Sequence, residues 1–568
     1  MKKELPVFEE WPYKVPSTKK AIQKCQELTK AFQEAKTGEE AYRVWQKFAK
    51  LADAFQNEAT HISVLYSIDT KNETYKKNEE KLNQELPYIQ EAIQGLNLAM
   101  VASPHRAFLE QKLGSFFFQM IENQLKTFKP EIIPELQKEA ELSMKYDALI
   151  ASCEIPFRGQ IYNAPQMGKF FEDLDRNTRK EAAEAYYSYL DTHIKEEAEK
   201  IYDELVHLRD QMAKKLGFKN YIELGYLRMG RYDYNPEMVA SYREQIRQNV
   251  TPVAEKIAKD RAKRCGLRKL KVYDLAMAFP DGNPMPKGTT AEKVEAAKKM
   301  YDDLSPETKF FFRYMADHHV LDLEAKPGKQ SGGYMTYFPV YGIPFIFSNF
   351  NGTSGDVDVL THEFGHSFQA YMARGIKIPE YRSPTMESCE IHSMSMEFFA
   401  EPWMHLFFDN PVKYCKVHLE DSIMFLPYGV TVDEFQHWVY ENPNATPAER
   451  DAYWHSLEEK YTPYKVKAYE GCDYMASGHR WLMQGHIFAS PFYYIDYTLA
   501  QVMAFQFFNL DRKNHELAWK RYLKLCKMGG KYPFVTLVKK DGMKSPFDEG
   551  VLHKTIRPLV KQLKSYNV

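Results

Sequence analysis

The segment Thr361-His362-Glu363-Phe364-Gly365-His366 constrains this chain more than any other, because it spells His-Glu-x-x-His inside a largely apolar stretch. Residues four apart lie on one face of a helix, so His362 and His366 present two imidazoles to one point. Glu363 stands one step round that helix, where its carboxylate reaches a water on a metal ion rather than the ion itself. The flanks, including Val357, Leu360, Phe364, Phe368 and Met372, call for a buried helix, and buried polar side chains need partners. A metal is one such partner. Two imidazoles with a nearby base form the core of a zinc hydrolase site.

Composition narrows the rest. The 568 residues include 36 Phe and 38 Tyr, enough for two or more lobes with large cores. Lys plus Arg total 76 against 77 for Asp plus Glu, so no basic field exists to attract nucleic acid or an acidic membrane, and neither is expected as a partner. The seven cysteines are scattered, odd in number and without Cys-x-x-Cys spacing, which suits reduced thiols in a reducing compartment. Two lysines open the chain, but Glu9 and Glu10 interrupt any apolar region, and no signal peptide is expected. No apolar run reaches about 18 residues, so nothing should span a bilayer. A soluble cytoplasmic protein is the simplest expectation; the sequence carries no signal for an oligomeric state.

The first half reads as helix after helix. Ser17 caps a helix with Ile22, Cys25, Leu28 and Phe32 on one face, closed by Gly38. Tyr42, Trp45, Phe48 and Phe55 continue the spacing, and a stripe from Ile194 through Leu205 and Met212 stops at Gly217. These stripes read as core packing. Residues 157–166, with Gly, Pro and aromatics, predict a short hairpin or loop, and residues 279–286 a loop. Residues 326–355 are different, with glycines punctuating aromatic, β-prone runs. Residues 343–350 alternate as a strand, and Pro344 places it at a sheet edge or at a strand start. A small sheet thus precedes the metal-binding helix, after which the chain returns to helix. The expected division is an N-terminal helical region, 1–195, and a catalytic region, 196–568, with the lobes interleaved in space.

Zinc in a hydrolase usually takes three protein ligands and keeps one position for water. One extension of the motif would need Gly and His where this chain has Gln369 and Met372, which excludes it. The alternative is a glutamate from a second helix, and Glu380, Glu387, Glu390 and Glu397 lie downstream. Ser383 followed by Pro384 opens such a helix. Glu390 and Glu397 share a face with Ser393 between them, while His392 points elsewhere. Spacing leaves Glu387 and Glu390 both open.

The His362–His366 motif, followed 28 residues after its first histidine by Glu390-x-x-Ser393-x-x-x-Glu397, resembles the thimet oligopeptidase and oligoendopeptidase F family of metallopeptidases, most of all its oligoendopeptidase F-like branch. The likeness extends upstream to Phe350-Asn351-Gly352-Thr353-Ser354-Gly355-Asp356-Val357. Downstream it includes His486 and Pro491-Phe492-Tyr493-Tyr494-Ile495-Asp496-Tyr497. It covers residues 194–559 at motif level; this chain departs by carrying Ile391-His392 before Ser393, where the family often has Pro. The resemblance implies that His362, His366 and Glu390 hold one Zn2+ and that Glu397 orients an imidazole. It implies Glu363 as base and then acid, Tyr497 as the oxyanion donor, and Tyr494 and His486 as further donors to substrate. It implies a mainly α, two-lobed fold of the helical zincin type, with a small sheet beside the zinc helix and a deep channel for short unfolded peptides.

The expected activity is therefore zinc-dependent hydrolysis of internal bonds in short peptides. A zinc carboxypeptidase of similar fold would need a cationic site for the terminal carboxylate. A non-catalytic peptide-binding relative would need no Glu363. Two local features have two readings each. Gly332 and Gly333 either let a substrate backbone approach closely or make tight turns. Asp358 either supports His362 from one turn away or simply suits a helix N-terminus.

Overall fold

The computed structural model describes residues 5–568. It is mostly helical, 70% helix against 4% strand, as the periodicities predict. Ser17 accepts the amide of Lys20 and starts the helix Thr18–Gln33. Gly38 does not close that helix; it is the first residue of the next one, Gly38–Ile68, capped by Thr37. A β-carbon at Gly38 would stand 2.5 Å from the Phe108 ring, so this glycine permits a close helix approach rather than a turn. The stripe ending at Gly217 forms the helix Lys195–Lys215.

Two large apolar cores result, with a small third cluster at Ala254, Ala258 and Tyr464. The smaller of the two large cores gathers Phe32, Trp45, Leu96, Leu109, Phe117 and Ile121 from the N-terminal helices, and Tyr381 from the distant segment that follows the His-bearing helix packs into it. The larger spans the rest of the chain and includes Phe8 and Trp11 from the start. Tyr381 donates its hydroxyl to the Leu113 carbonyl at 2.8 Å, tying the small core to the connection that leads to Glu390.

A hairpin overlaps the expected hairpin-or-loop segment 157–166 but starts earlier: β1, Ile155–Phe157, pairs antiparallel with β2, Gln160–Tyr162, through Arg158 and Gly159 at positive φ, and a helix begins at Ala164. The second sheet has β3, Leu321–Glu324, and β4, Tyr334–Phe338, on either side of β5, Ile343–Phe350. β5 is therefore central, not an edge strand. Pro344 is tolerated because it lies at the strand start, before parallel pairing with β3 begins at Ile346. β4 is left as an open edge beside the His-bearing helix. Among the described residues no helix is long and apolar enough to cross a membrane, and all seven cysteines are free.

Candidate active site

The His-bearing helix, Gly355–Ala373, leaves β5 through a tight turn that Asp356 organises. Its carboxylate accepts the amides of Asn351 at 2.8 Å and Gly352 at 3.0 Å, and it pairs with buried Lys293 at 2.5 Å. The second helix, Met386–Phe399, begins two residues after Pro384, with Thr385 in the N-cap position. The two helices cross at Gly365. A β-carbon there would lie 2.6 Å from both the His392 carbonyl oxygen and Ser393 Cα. Glycine between the two histidines is what lets Glu390 come down onto the imidazoles.

At that crossing, Glu390 Oε2 lies 3.2 Å from His362 Nε2 and 3.4 Å from His366 Nε2. One ligand atom from each of His362, His366 and Glu390 falls within 4.8 Å of the others. Ser393 Oγ donates to Glu390 Oε2 at 3.0 Å, and Tyr493 donates to Oε1 at 2.5 Å. Behind the imidazoles, His362 Nδ1 meets Glu397 Oε1 at 2.6 Å, and Glu397 Oε2 meets His418 Nε2 at 2.8 Å. His418 comes from the long helix Pro411–Glu441. Glu387 goes elsewhere: it is buried near Asp496 and Arg231.

The charges follow from these contacts. Burial alone would raise Glu390, but the imidazoles of His366 and His362 hold it well below the usual carboxylate range. Burial alone would lower His362, but Glu390 and Glu397 raise it far above an ordinary histidine. Carboxylates and imidazoles converge on one point, where a divalent cation would take the place of protons on the ligands. Two imidazole nitrogens and one carboxylate, with Glu397 fixing the orientation of His362, make a donor set that fits zinc.

Glu363 is 7% exposed. Burial raises its pKa, with the His362 and His366 charges acting against the rise, so it is a stronger base than a surface glutamate. Tyr497 approaches His486 Nε2 at 3.4 Å, and burial keeps its phenol protonated well above the ordinary range. Burial also lowers His486, whose Nδ1 is held by Gln484 at 2.9 Å. Tyr428 in turn donates to Gln484 at 2.7 Å. His362, His486, Tyr494 and Tyr497 all line one cavity of about 380 Å³.

Other expected residues stand apart. The His362 ring nitrogens face Glu397 and Glu390, while the Asp358 carboxylate accepts from the Tyr414 hydroxyl, and burial pushes it up to about 6 against the pull of His418. Gly332 and Gly333 are exposed just before β4. Asn349 Nδ2 donates to the Gly332 carbonyl at 2.8 Å, and a β-carbon at Gly333 would come within 3.3 Å of Val359 on the His-bearing helix. Sequence reasoning passed over Tyr493 and His418. Tyr493 is one of three tyrosines in a five-residue span, and nothing in the spacing says which faces Glu390.

A mostly helical chain with this constellation opening on a tyrosine-lined cavity has the make-up of a helical peptidase. Residues 170–555 match the model of peptidase family M3, and residues 8–128 match the peptidase M3 N-terminal domain; the chain belongs to peptidase family M3. The solved structure of PZ peptidase A with an inhibitor is 47% identical, with a TM-score of 0.95 over 98% of this chain and 99% of that one. The oligopeptidase PepF of Bacillus subtilis (strain 168) is 22% identical over 467 residues, 76% of this chain and 68% of the relative. The oligoendopeptidase-F of Enterococcus faecium, at 14% identity, shares the fold with a TM-score of 0.63 over 97% of each chain.

Proposed function

We propose that this peptidase is a zinc-dependent oligopeptidase that hydrolyses internal bonds of short unfolded peptides. The observation that carries this reading is the convergence of His362, His366 and Glu390 beside a cavity that His362, His486 and Tyr497 line. His362, His366 and Glu390 would hold the ion, which when bound supplies Lewis acidity and lowers the pKa of water to about 7. Glu363 takes the proton of the attacking water and returns it to the leaving amine. Tyr497, protonated and buried at its base, donates to the oxygen on which negative charge develops. His486, with Nδ1 held by Gln484, and Tyr494 on the cavity wall donate to substrate. The open edge of β4 takes an extended peptide main chain, and Gly332 and Gly333 leave its entrance free of side chains. The seven free cysteines support a cytoplasmic location.

Against a carboxypeptidase stands the wall of the cavity. It includes Asp358, Glu397 and Asp421 but no Lys or Arg, and its His418 is already paired with Glu397, so a terminal carboxylate finds no unpaired side-chain cation on that wall. The test is a mixed-sequence peptide incubated with the enzyme and read by mass spectrometry. Internal fragments that vanish with a chelator and return with zinc are expected. An orderly C-terminal ladder would overturn the endopeptidase reading.

A further inference from the structure

The two oxygens of Glu390 have different partners. Oε2 faces both imidazoles and accepts from Ser393, whereas Oε1 is taken by the Tyr493 hydroxyl at 2.5 Å. A carboxylate with both oxygens free can turn and grip a cation with the pair. Turning to present the pair would cost Glu390 the bond from Tyr493 to Oε1, whereas Oε2 already faces the imidazoles while keeping its bond from Ser393. The distinction matters at a catalytic site, where three protein ligands must leave a position open for water.

Tyr493 is aimed by the residue before it. Phe492 has φ +68, an uncommon conformation for a side chain of this size, and the surroundings hold it there from every side. Its amide donates to Gln436 Oε1 at 2.7 Å. Its carbonyl accepts from Arg231, and Arg231 is itself fixed to Asp496 Oδ1 at 3.0 Å. Gln436, Arg231 and Asp496 are all buried. The Phe492 ring presses on Gly225, where a β-carbon would stand 2.6 Å from it. Left-handed backbone that persists only because its neighbours over-determine it is typical of functional turns. Here the turn launches the helix Tyr494–Asp511 so that Tyr493 reaches Glu390 while the Tyr497 ring sits 4.8 Å from its own.

We propose that Tyr493 is a positioning residue of the metal centre: it commits Oε1 of Glu390, so that the carboxylate offers the ion a single oxygen. The left-handed Phe492, clamped by Gln436 and Arg231, is the device that points it there. This rests on the reading of His362, His366 and Glu390 as the metal ligands.

The test replaces the native ion with one equivalent of Co2+, whose visible absorption is strong when four-coordinate and weakens as coordination number rises. In Tyr493→Phe the freed oxygen joins the ion, so the band intensity falls, and kcat drops about tenfold with KM little changed. Gln436→Leu moves the spectrum in the same direction by less, and Tyr494→Phe, whose hydroxyl does not touch Glu390, leaves the spectrum as it is. A Tyr493→Phe spectrum identical to that of the unmodified enzyme would overturn the proposal while leaving the peptidase reading intact. Failure of the unmodified enzyme to bind Co2+ at all would overturn both.

Discussion

Among the described residues, two clusters of three bring histidine and carboxylate ligand atoms within 4.8 Å of one another: His362, His366 and Glu390, and, elsewhere, Glu199, Asp451 and His479. Distance does not separate them; the partners behind the ligands do. In the first cluster Glu397 holds the far nitrogen of His362, and Ser393 and Tyr493 hold Glu390. In the second, Asp451 spends one oxygen on Trp481 Nε1 at 2.8 Å and faces His479 with the other at 3.3 Å. His479 Nδ1 has no partner among the described residues. The ratio also differs, two imidazoles to one carboxylate against one to two. Burial raises Glu199, and the Asp451 charge adds to the rise. The first is built to orient ligands on a cation; the second is a buried histidine–carboxylate contact with a neighbouring acid.

That contrast breaks most sharply on metal content. Glu390→Ala should lose the bound metal and all hydrolysis, whereas Asp451→Asn should keep one equivalent per chain and full turnover, with a stability change of about 1 kcal/mol. Metal analysis of the two dialysed variants decides it. A wild-type stoichiometry of two that falls to one in Asp451→Asn would make the second cluster a metal site after all. Glu387→Ala belongs in the same series: Glu387 lies with Asp496 and Arg231, so metal content should survive its loss.

Next in size is the base, which only the first cluster has. Glu363→Gln should keep metal and lower kcat by about 10²- to 10⁴-fold, as read with a quenched-fluorescence peptide. Retained activity would remove Glu363 from the mechanism. Tyr497→Phe removes one donor to the developing charge and should cost about 10²- to 10³-fold in kcat with substrate affinity little changed. A loss carried by KM alone would reassign Tyr497 to binding.

Much of the first cluster was legible along the chain because it lies on single helices. His362 and His366 share a face, as do Glu390, Ser393 and Glu397, and helical spacing reports such faces directly; spacing left Glu387 and Glu390 both open, and only the family resemblance chose Glu390. The sheet before the motif was legible from glycine punctuation and β-prone runs, whereas the hairpin at Ile155–Tyr162 was legible only as a hairpin or loop somewhere in residues 157–166. What stayed hidden depends on contacts between helices. His418 reaches Glu397 from a separate helix, and no periodicity connects them. Gly38 reads as a stop until Phe108 is seen against it. Tyr493 is selected by the backbone of Phe492, whose positive φ is imposed by Gln436 and Arg231 from remote segments.

The smallest expected effect lies at the outermost partner of each cluster. Trp481, behind Asp451, does not titrate; His418, behind Glu397, does. Burial alone would lower His418, but its bond to Glu397 and the surrounding carboxylates push it up to about 9, against about 6.5 in the unfolded chain. A histidine raised on folding adds stability that is fully present below about pH 6.5 and is lost as pH rises through about 9. In chelator-treated enzyme, His418→Gln should therefore lower the unfolding midpoint most at pH 6. The gap from the unmodified chain should narrow between pH 7 and 9 and be smallest at pH 10, followed by denaturant titration. Asp451→Asn, measured alongside, keeps His418 and its bond to Glu397 and should run parallel to the unmodified chain across that window. A His418→Gln deficit that stays constant from pH 6 to 10 would mean the ring acts by packing against Phe398 and Tyr414, not by its charge on Glu397.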